Sequence, residues 1–247
     1  MNQKETLTVI IPCYNEENNI EKTFHDVQRV IPCLPLDAKV MLIDDGSLDN
    51  TWAVMERIKN EFPNTLLVRH PKNTGVGRVV LEAYKVLPSD TWVTVIPGDN
   101  EIMFESIKNH LALRGDFELI LGYFQNAVIR PFRRRLASAL FSLFVRVFYG
   151  LHYRYLNGLK LYRASIFKDI EVLSSGHGFN AELIAKAVLR KPDLRIGEAP
   201  FLSRGRQYGR SKAFKLSSIL KSLFEFFRGY KSVSAYRQKI IQKGLDG

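Results

Sequence analysis

A chain of 247 residues with 46% hydrophobic content is long enough to bury a full core and too apolar to be a disordered segment. Its two cysteines, Cys13 and Cys33, exclude a disulfide framework and a four-cysteine zinc site. The net charge of +11 divides unevenly: residues 1–127 carry 12 Lys and Arg against 18 Asp and Glu, or −6, whereas residues 128–247 carry 24 against 7, or +17.

The first half alternates two kinds of segment. Leu7 to Pro12 reads as a short strand, Glu17 to Val30 as a helix, Lys39 to Asp44 as a strand, and Asp49 to Glu61 as a helix opening after Ser47. Leu66 to Arg69 and Trp92 to Ile96 are two more strands, with a helix from Gly77 to Leu87 between them, and Phe117 to Leu121 is a further strand. Regular alternation of this kind predicts an α/β fold, a mostly parallel sheet flanked by helices. Beyond it the pattern changes. Leu140, Leu143, Phe144, Val147, Phe148 and Leu151 fall on one face of a helix within about 133–151, with Arg135, Ser138, Ser142 and Arg146 on another. A second amphipathic helix carries Leu216, Ile219, Leu220, Leu223, Phe224 and Phe227 opposite Ser218, Ser222 and Glu225. Basic residues stand near both, the composition of helices that lie in a membrane interface, although ordinary core packing gives the same stripe.

No segment reaches the roughly 20 apolar residues that span a bilayer, since the run near Leu136 to Leu151 is broken by Ser138, Ser142 and Arg146. The polar stretch before Leu7 leads into no apolar segment of signal type, so export is not expected. Charge adds that the acidic front half suits cation-assisted binding and the basic back half attracts phosphates, whether of lipid, nucleic acid or a phosphorylated substrate.

Acidic or polar residues stand just past three strand ends: Tyr14-Asn15-Glu16, Asp44-Asp45-Gly46-Ser47 and Asp99-Asn100-Glu101. In a parallel sheet these meet at one rim, where ligands bind. Three such clusters repel one another unless a cation or a hydrogen-bonding ligand offsets them, and an oxygen-rich site suits Mg²⁺ or Mn²⁺ bridging a diphosphate. Gly75-Val76-Gly77 lacks the third glycine of a dinucleotide fingerprint. The five histidines are scattered, and none sits at ligand spacing from a Cys or Asp.

The run Val9-Ile10-Ile11-Pro12-Cys13-Tyr14-Asn15-Glu16-Glu17, then Leu42-Ile43-Asp44-Asp45-Gly46-Ser47 and Asp49-Asn50-Thr51, resembles the opening of glycosyltransferase family 2. Asn73-Thr74-Gly75-Val76-Gly77 resembles the next landmark of that family, and Asp99 falls where its DxD motif ends. Arg206-Gln207-Tyr208-Gly209-Arg210-Ser211-Lys212 resembles the phosphate-binding loop of dolichyl-phosphate mannose synthases and other polyprenyl-phosphate glycosyltransferases. The resemblance covers roughly residues 6 to 215. It implies a GT-A (Rossmann-like) catalytic domain over 1–215, followed by a C-terminal amphipathic helix and tail over 216–247.

It also implies roles. Pro12, Tyr14, Glu16, Ile43, Asp44 and Asp45 are expected to bind a UDP- or GDP-linked sugar, and Gly98 to let the backbone approach the diphosphate. Asp99 is expected to be catalytic and, with Glu101, to hold the divalent metal, while Arg206 and Lys212 close over phosphate. One position departs from the family: Pro97 stands where the first acid of DxD is usual, and a proline cannot ligate through its side chain, so Glu101 is a candidate compensation.

The family resemblance implies an inverting transfer in which the acceptor attacks the anomeric carbon as the nucleoside diphosphate leaves. Asn157-Gly158-Leu159-Lys160-Leu161-Tyr162-Arg163 resembles the stretch lining the acceptor side, and Glu182, in Gly178-Phe179-Asn180-Ala181-Glu182, is a candidate base or a residue that orients a neighbour. Arg130, Arg133, Arg134 and Arg135 beside the amphipathic helices favour a polyprenyl-phosphate acceptor and an enzyme attached peripherally to the cytoplasmic, inner face of a membrane. A glycan hydroxyl is the alternative acceptor. A nucleic-acid-binding module is the rival reading of the basic half, but no recognition motif accompanies it and nucleic acid is not expected as a partner.

Overall fold

A computed structural model of the chain describes residues 5–126, 132–174, 176, 178–205 and 216–245. Strand β1 (Thr6–Cys13) is followed by α1 (Ile20–Val30), β2 (Asp37–Asp44), α2 (Thr51–Glu61), β3 (Leu66–Arg69), α3 (Val76–Val86) and β4 (Trp92–Val95). Then come α4 (Ile107–Ala112), β5 (Leu119–Phe124), α5 (Phe132–Tyr149), β6 (Lys160–Arg163), α6 (Ala164–Phe167), α7 (Phe179–Arg190), β7 (Ile196–Phe201) and α8 (Leu216–Leu245).

The seven strands form one sheet in the order β3-β2-β1-β4-β6-β5-β7. β1 pairs in parallel with β2 and β4, β2 with β3, and β5 with β7; β6 alone is antiparallel, inserted between β4 and β5. The carboxyl ends of β1, β2, β4, β5 and β7 therefore lie at one rim, together with the amino end of β6. Connections from β1 lead to β2 on one side and return to β4 on the other, so the topological switch point of the sheet lies at the β1 and β4 ends, where ligands of such sheets bind.

Both faces are covered, which is why β1 is apolar along its length rather than alternating. Leu7, Val9 and Ile11 pack with Val40, Leu42 and the α1 stripe Ile20, Phe24 and Val27. Ile10, Met41 and Ile43 face the opposite layer, built from α3, α5, α7 and α8. The mostly parallel α/β sheet expected from the alternating pattern is what forms.

α1 opens at Ile20 rather than Glu17 because Asn15 turns left-handed (φ +57°) and the residues after it bond across to the β2 loop. The two amphipathic helices bury only part of their apolar surface. α5 buries Val145 and Tyr149, whereas Leu136, Leu140, Leu143, Phe144 and Val147 are exposed. α8 buries Phe226, Gly229 and Val233 and leaves Phe224 and Phe227 in solvent. Phe226 is ringed by Phe141, Phe144, Phe148 and Tyr149, which seats α8 on α5. No helix among the described residues is long and apolar enough to cross a membrane.

Candidate active site

The three polar clusters come together as their strand order requires. The loops after β1 and β2 are stitched by side chains: the Asn15 amide donates to Ser47 Oγ (2.9 Å), the Leu48 amide to Asn15 Oδ1 (2.8 Å) and the Glu16 amide to Thr51 Oγ1 (2.8 Å). Gly46 turns with φ +69°, and a Cβ there would lie 2.5 Å from the Lys72 carbonyl carbon, so the β2 loop requires glycine. Tyr14 is exposed at the lip, while Pro12 and Ile43 are buried behind it.

Asp44 and Asp45 are buried and differ in what holds them. Asp45 Oδ1 accepts the amide (2.9 Å) and hydroxyl (2.8 Å) of Thr74 and faces His70 Nδ1 at 3.2 Å; its Oδ2 accepts the Gly75 amide at 2.8 Å. It thus anchors the start of α3. Asp44 Oδ1 accepts the Ser47 amide, whereas its buried Oδ2 has no hydrogen-bond partner; the Arg69 Nε lies 3.4 Å away, close enough for ion pairing.

Past β4, Asp99 Oδ1 accepts the Glu101 amide at 3.1 Å across Asn100, which is left-handed (φ +54°). No described residue donates a hydrogen bond to Asp99 Oδ2. The carboxylates converge: burial pushes the Cys13 thiol well up, and Glu16, Asp44, Asp99 and Asp49 push it further. Among the described residues, no cluster of three or more His, Cys, Asp or Glu side chains could hold a metal ion by itself. A divalent metal therefore fits this rim only with oxygen ligands from a donor diphosphate and water alongside Asp99.

Two of the expected site residues also hold the fold together. The absent Cβ of Gly98 faces Cys13, at 2.3 Å from its Sγ, and its carbonyl accepts a bond from Thr23 Oγ1, so this glycine lets β1 and β4 pack at the rim. Glu182 is wholly buried, and its oxygens accept the Leu173 and Ser174 amides, the Ser174 hydroxyl and the Lys186 ammonium. Burial pushes its pKa up, but those hydrogen bonds outweigh it and hold the carboxyl below its ordinary value. A carboxylate so engaged is a structural anchor for α7 and α8. Arg206 and Lys212 lie outside the described residues.

The same rim opens further along onto a groove of about 800 Å³ between the end of β5 and α5. Arg135, Arg146 and Arg154 line it together with Phe132, Leu136 and Leu143. The Arg154 guanidinium stacks over Tyr123 at 4.3 Å.

The model of the family described as Glycosyl transferase family 2 matches residues 8–170, about two thirds of the chain. The chain belongs to glycosyltransferase family 2. Among curated relatives, the transferase is similar to the dodecaprenyl-phosphate galacturonate synthase of Rhizobium johnstonii, 25% identical over 93% of this chain and 69% of that one. It is also similar to the dolichol-phosphate mannosyltransferase of Pyrococcus furiosus, 24% identical over 90% of this chain and 62% of that one. The transferase chain thus spans between 62% and 69% of the length of these two relatives. Its fold is that of glucosyl-3-phosphoglycerate synthase from Mycobacterium tuberculosis. The structure of that enzyme with UDP matches with a TM-score of 0.64 at 17% identity, over 93% of this chain and 80% of that one. Its structure with Mn²⁺, UDP-glucose and phosphoglyceric acid gives 0.61 at 16%, over 96% and 79%.

Three polar groups of the transferase rim were not legible as such in sequence. His70 is joined to Asp45 and, through Nε2, to Glu82 at 3.3 Å, contacts made across 25 and 12 residues. Asn180 Nδ2 donates to Asn157 Oδ1, tying α7 to the acceptor-side stretch. Lys160 is buried at the amino end of β6, its ammonium donating to the carbonyls of Leu156 (3.1 Å) and Gly158 (2.9 Å). Burial lowers its pKa to about 7.

Proposed function

We propose that this family 2 glycosyltransferase moves a sugar from a nucleoside-diphosphate sugar to a polyprenyl phosphate at a membrane surface. The observation that carries the reading is the pairing, on one rim of the sheet, of the carboxylate cluster around Asp99 with a groove whose walls are both cationic and apolar. Arginines 135, 146 and 154 suit a phosphate, and Phe132, Leu136 and Leu143 suit a hydrocarbon chain, a combination that a small phosphoacid or a glycan does not need. The names of the two curated relatives, both acting with polyprenyl-type phosphates, support the same acceptor class.

On the donor side, Pro12, Tyr14, Glu16, Ile43, Asp44 and Asp45 surround the pocket for the base and ribose. Asp44 Oδ2, a buried acceptor that among the described residues has only the Arg69 ion pair, keeps capacity to accept an N–H of the base. Asp99, helped by Glu101, would hold Mg²⁺ or Mn²⁺ on the diphosphate, as the metal-bound structures of the solved neighbour suggest. When bound, the cation neutralises charge on the leaving diphosphate.

A phosphate oxygen of the acceptor forms the new bond to the anomeric carbon while the bond to the nucleoside diphosphate breaks, with inversion. The attacking oxygen is already ionised at neutral pH, so the reaction needs no base carboxylate. The engaged state of Glu182 is consistent with that. Arg206 and Lys212 supply cations for the departing phosphates in this proposal. The exposed apolar faces of α5 and α8 support peripheral attachment to a membrane, which in this proposal is its cytoplasmic face.

The test is release of nucleoside diphosphate from a donor panel (UDP-glucose, UDP-GlcNAc, GDP-mannose) with Mg²⁺ or Mn²⁺ and a short polyprenyl phosphate. Release that requires the lipid and vanishes in Asp99→Ala is expected. Release only with a glycan or phosphoglycerate acceptor overturns the lipid assignment.

A further inference from the structure

The turn that carries Asp99 is tight. Asn100 holds a left-handed backbone at φ +54°, which asparagine adopts at some cost, and the Glu101 amide closes the turn on Asp99 Oδ1. Pro97 removes the first acid that the family pattern supplies, so the geometry of the site rests on how firmly one carboxylate is aimed.

Arg204 grips that turn by both its backbone and its side chain. Its amide donates to the Glu101 carbonyl at 2.9 Å, and its guanidinium donates to Asn100 Oδ1 at 3.1 Å while ion-pairing with Asp26 on α1. The side chains of Arg204 and Asp26 are only 22% and 15% exposed, and Asn100 is buried, so the contacts are largely shielded from water. Around them the strand-like segment after β7 lies antiparallel to the turn. Ile102 bridges Ser203, the Met103 amide donates to the Leu202 carbonyl, and Asn126 clasps Ser203 through both its amide groups.

We propose that Arg204 is a positioning residue for the donor-phosphate site: it fixes the Asn100 turn so that Asp99 meets the diphosphate and its divalent cation in one orientation. A planar guanidinium can bond Asn100 and Asp26 at once, which a lysine ammonium does less well. The residue also stands two positions before Arg206, so one short stretch of chain joins the carboxylate turn to the start of the expected phosphate loop. The inference rests on the proposed role of Asp99 toward a metal-bound diphosphate.

The experiment is calorimetric titration of the full chain with UDP and with GDP, with and without Mn²⁺, backed by Mn²⁺ paramagnetic resonance. Residues that orient a metal ligand typically change metal affinity about 10- to 100-fold when removed. Arg204→Ala is expected to lose that much of the Mn²⁺-dependent gain in nucleotide affinity while metal-free nucleotide binding stays within about twofold of wild type. Arg204→Lys and Asp26→Asn are expected to fall between the two, with unfolding temperatures near wild type, and they decide the matter should Arg204→Ala fail to fold. An unchanged Mn²⁺ gain in folded variants overturns the proposal, as does an equal loss with and without metal. Absence of any Mn²⁺-dependent nucleotide binding in the unmodified protein, or its survival in Asp99→Ala, overturns instead the metal role of Asp99 on which the proposal stands.

Discussion

Asp45 and Gly75 are joined across two loops of the rim: Asp45 Oδ2 accepts the Gly75 amide at 2.8 Å, while Oδ1 accepts both groups of Thr74. A residue expected to touch nucleotide is therefore also the anchor of α3, and Gly77 near that helix start lies against Phe179 of α7. Replacing Asp45 by Asn turns one acceptor oxygen into a donor facing another N–H. We expect Asp45→Asn to lose about 1–3 kcal/mol of stability, the cost of an unsatisfied buried polar group, and to weaken UDP or GDP binding with it. Denaturant unfolding and nucleotide titration check this together; weakened binding at unchanged stability would make Asp45 a ligand contact alone.

Gly98 and Cys13 give a test with a built-in control. A Cβ at residue 98 meets Cys13 Sγ at 2.3 Å, far inside contact distance, in a part of the sheet where both residues are buried. Overpacking of this kind costs about 1–3 kcal/mol. Gly98→Ala is expected to be destabilised by that much, and adding Cys13→Ala to recover most of it, measured as a double-mutant cycle in chemical denaturation. Additive losses would mean that the glycine serves something other than this contact.

The acids of the rim were legible in the sequence because each follows its strand directly, so local order along the chain is also order in space. Glu182 was not. Its position beside a family segment suggested a base, but its surroundings come from Lys186 on the same helix and from Ser174, and Gly229 of α8 packs beside it. The face of α5 was ambiguous for a different reason: apolar residues occupy both sides of the helix, and the packing of α7 and α8 selects Val145 and Tyr149 for burial. β6, four residues with a lysine at its start, carries too short a pattern to read, and β7 includes Gly197 and Pro200.

Lys160 makes stability depend on pH. Burial lowers its folded pKa to about 7, below the ordinary lysine value of 10.5. Between those values the unfolded chain binds more protons than the folded one, so this residue's contribution to stability rises with pH, by up to about 1.4 kcal/mol per pH unit. Below pH 7 both states are charged and the full cost of burial is present. The stability of wild type relative to Lys160→Met is expected to increase from pH 6.5 to pH 9.5 in denaturant unfolding. A pH-independent difference would show that Lys160 stays charged in its site.

Pro97 is exposed and stands where a second acid would help to hold a cation. Pro97→Asp adds that carboxylate at the end of β4 without removing any side-chain hydrogen bond. The Mn²⁺ concentration for half-maximal activity is expected to fall, by roughly tenfold if the new group enters the coordination shell. The measurement is a metal titration of activity at saturating donor. Unchanged metal dependence would mean that the site is already complete, as it is if Glu101 stands in for the missing acid, because a complete site gains nothing from a second carboxylate.

The proposed attachment to a membrane rests on which faces the helices leave uncovered. Leu140, Leu143 and Val147 of α5 and Phe224 and Phe227 of α8 are all exposed, with Arg133, Arg135 and Arg146 on α5 beside them. Inserting a large apolar side chain contributes about 1.5–3 kcal/mol when fully buried, and each nearby Lys or Arg about 1 kcal/mol at an anionic surface. Lasting attachment through such surface contacts takes both contributions. The full chain is therefore expected to co-sediment with phosphatidylserine-containing vesicles at low salt, to bind more weakly to neutral ones, and to be released by high salt. Phe224→Ser with Phe227→Ser should lower vesicle binding at least tenfold, since losing about 1.4 kcal/mol is already a factor of ten. Transfer to a short, water-soluble polyprenyl phosphate should survive in that variant. Equal loss of vesicle binding and soluble-acceptor activity would place the two phenylalanines at the acceptor site rather than at the membrane.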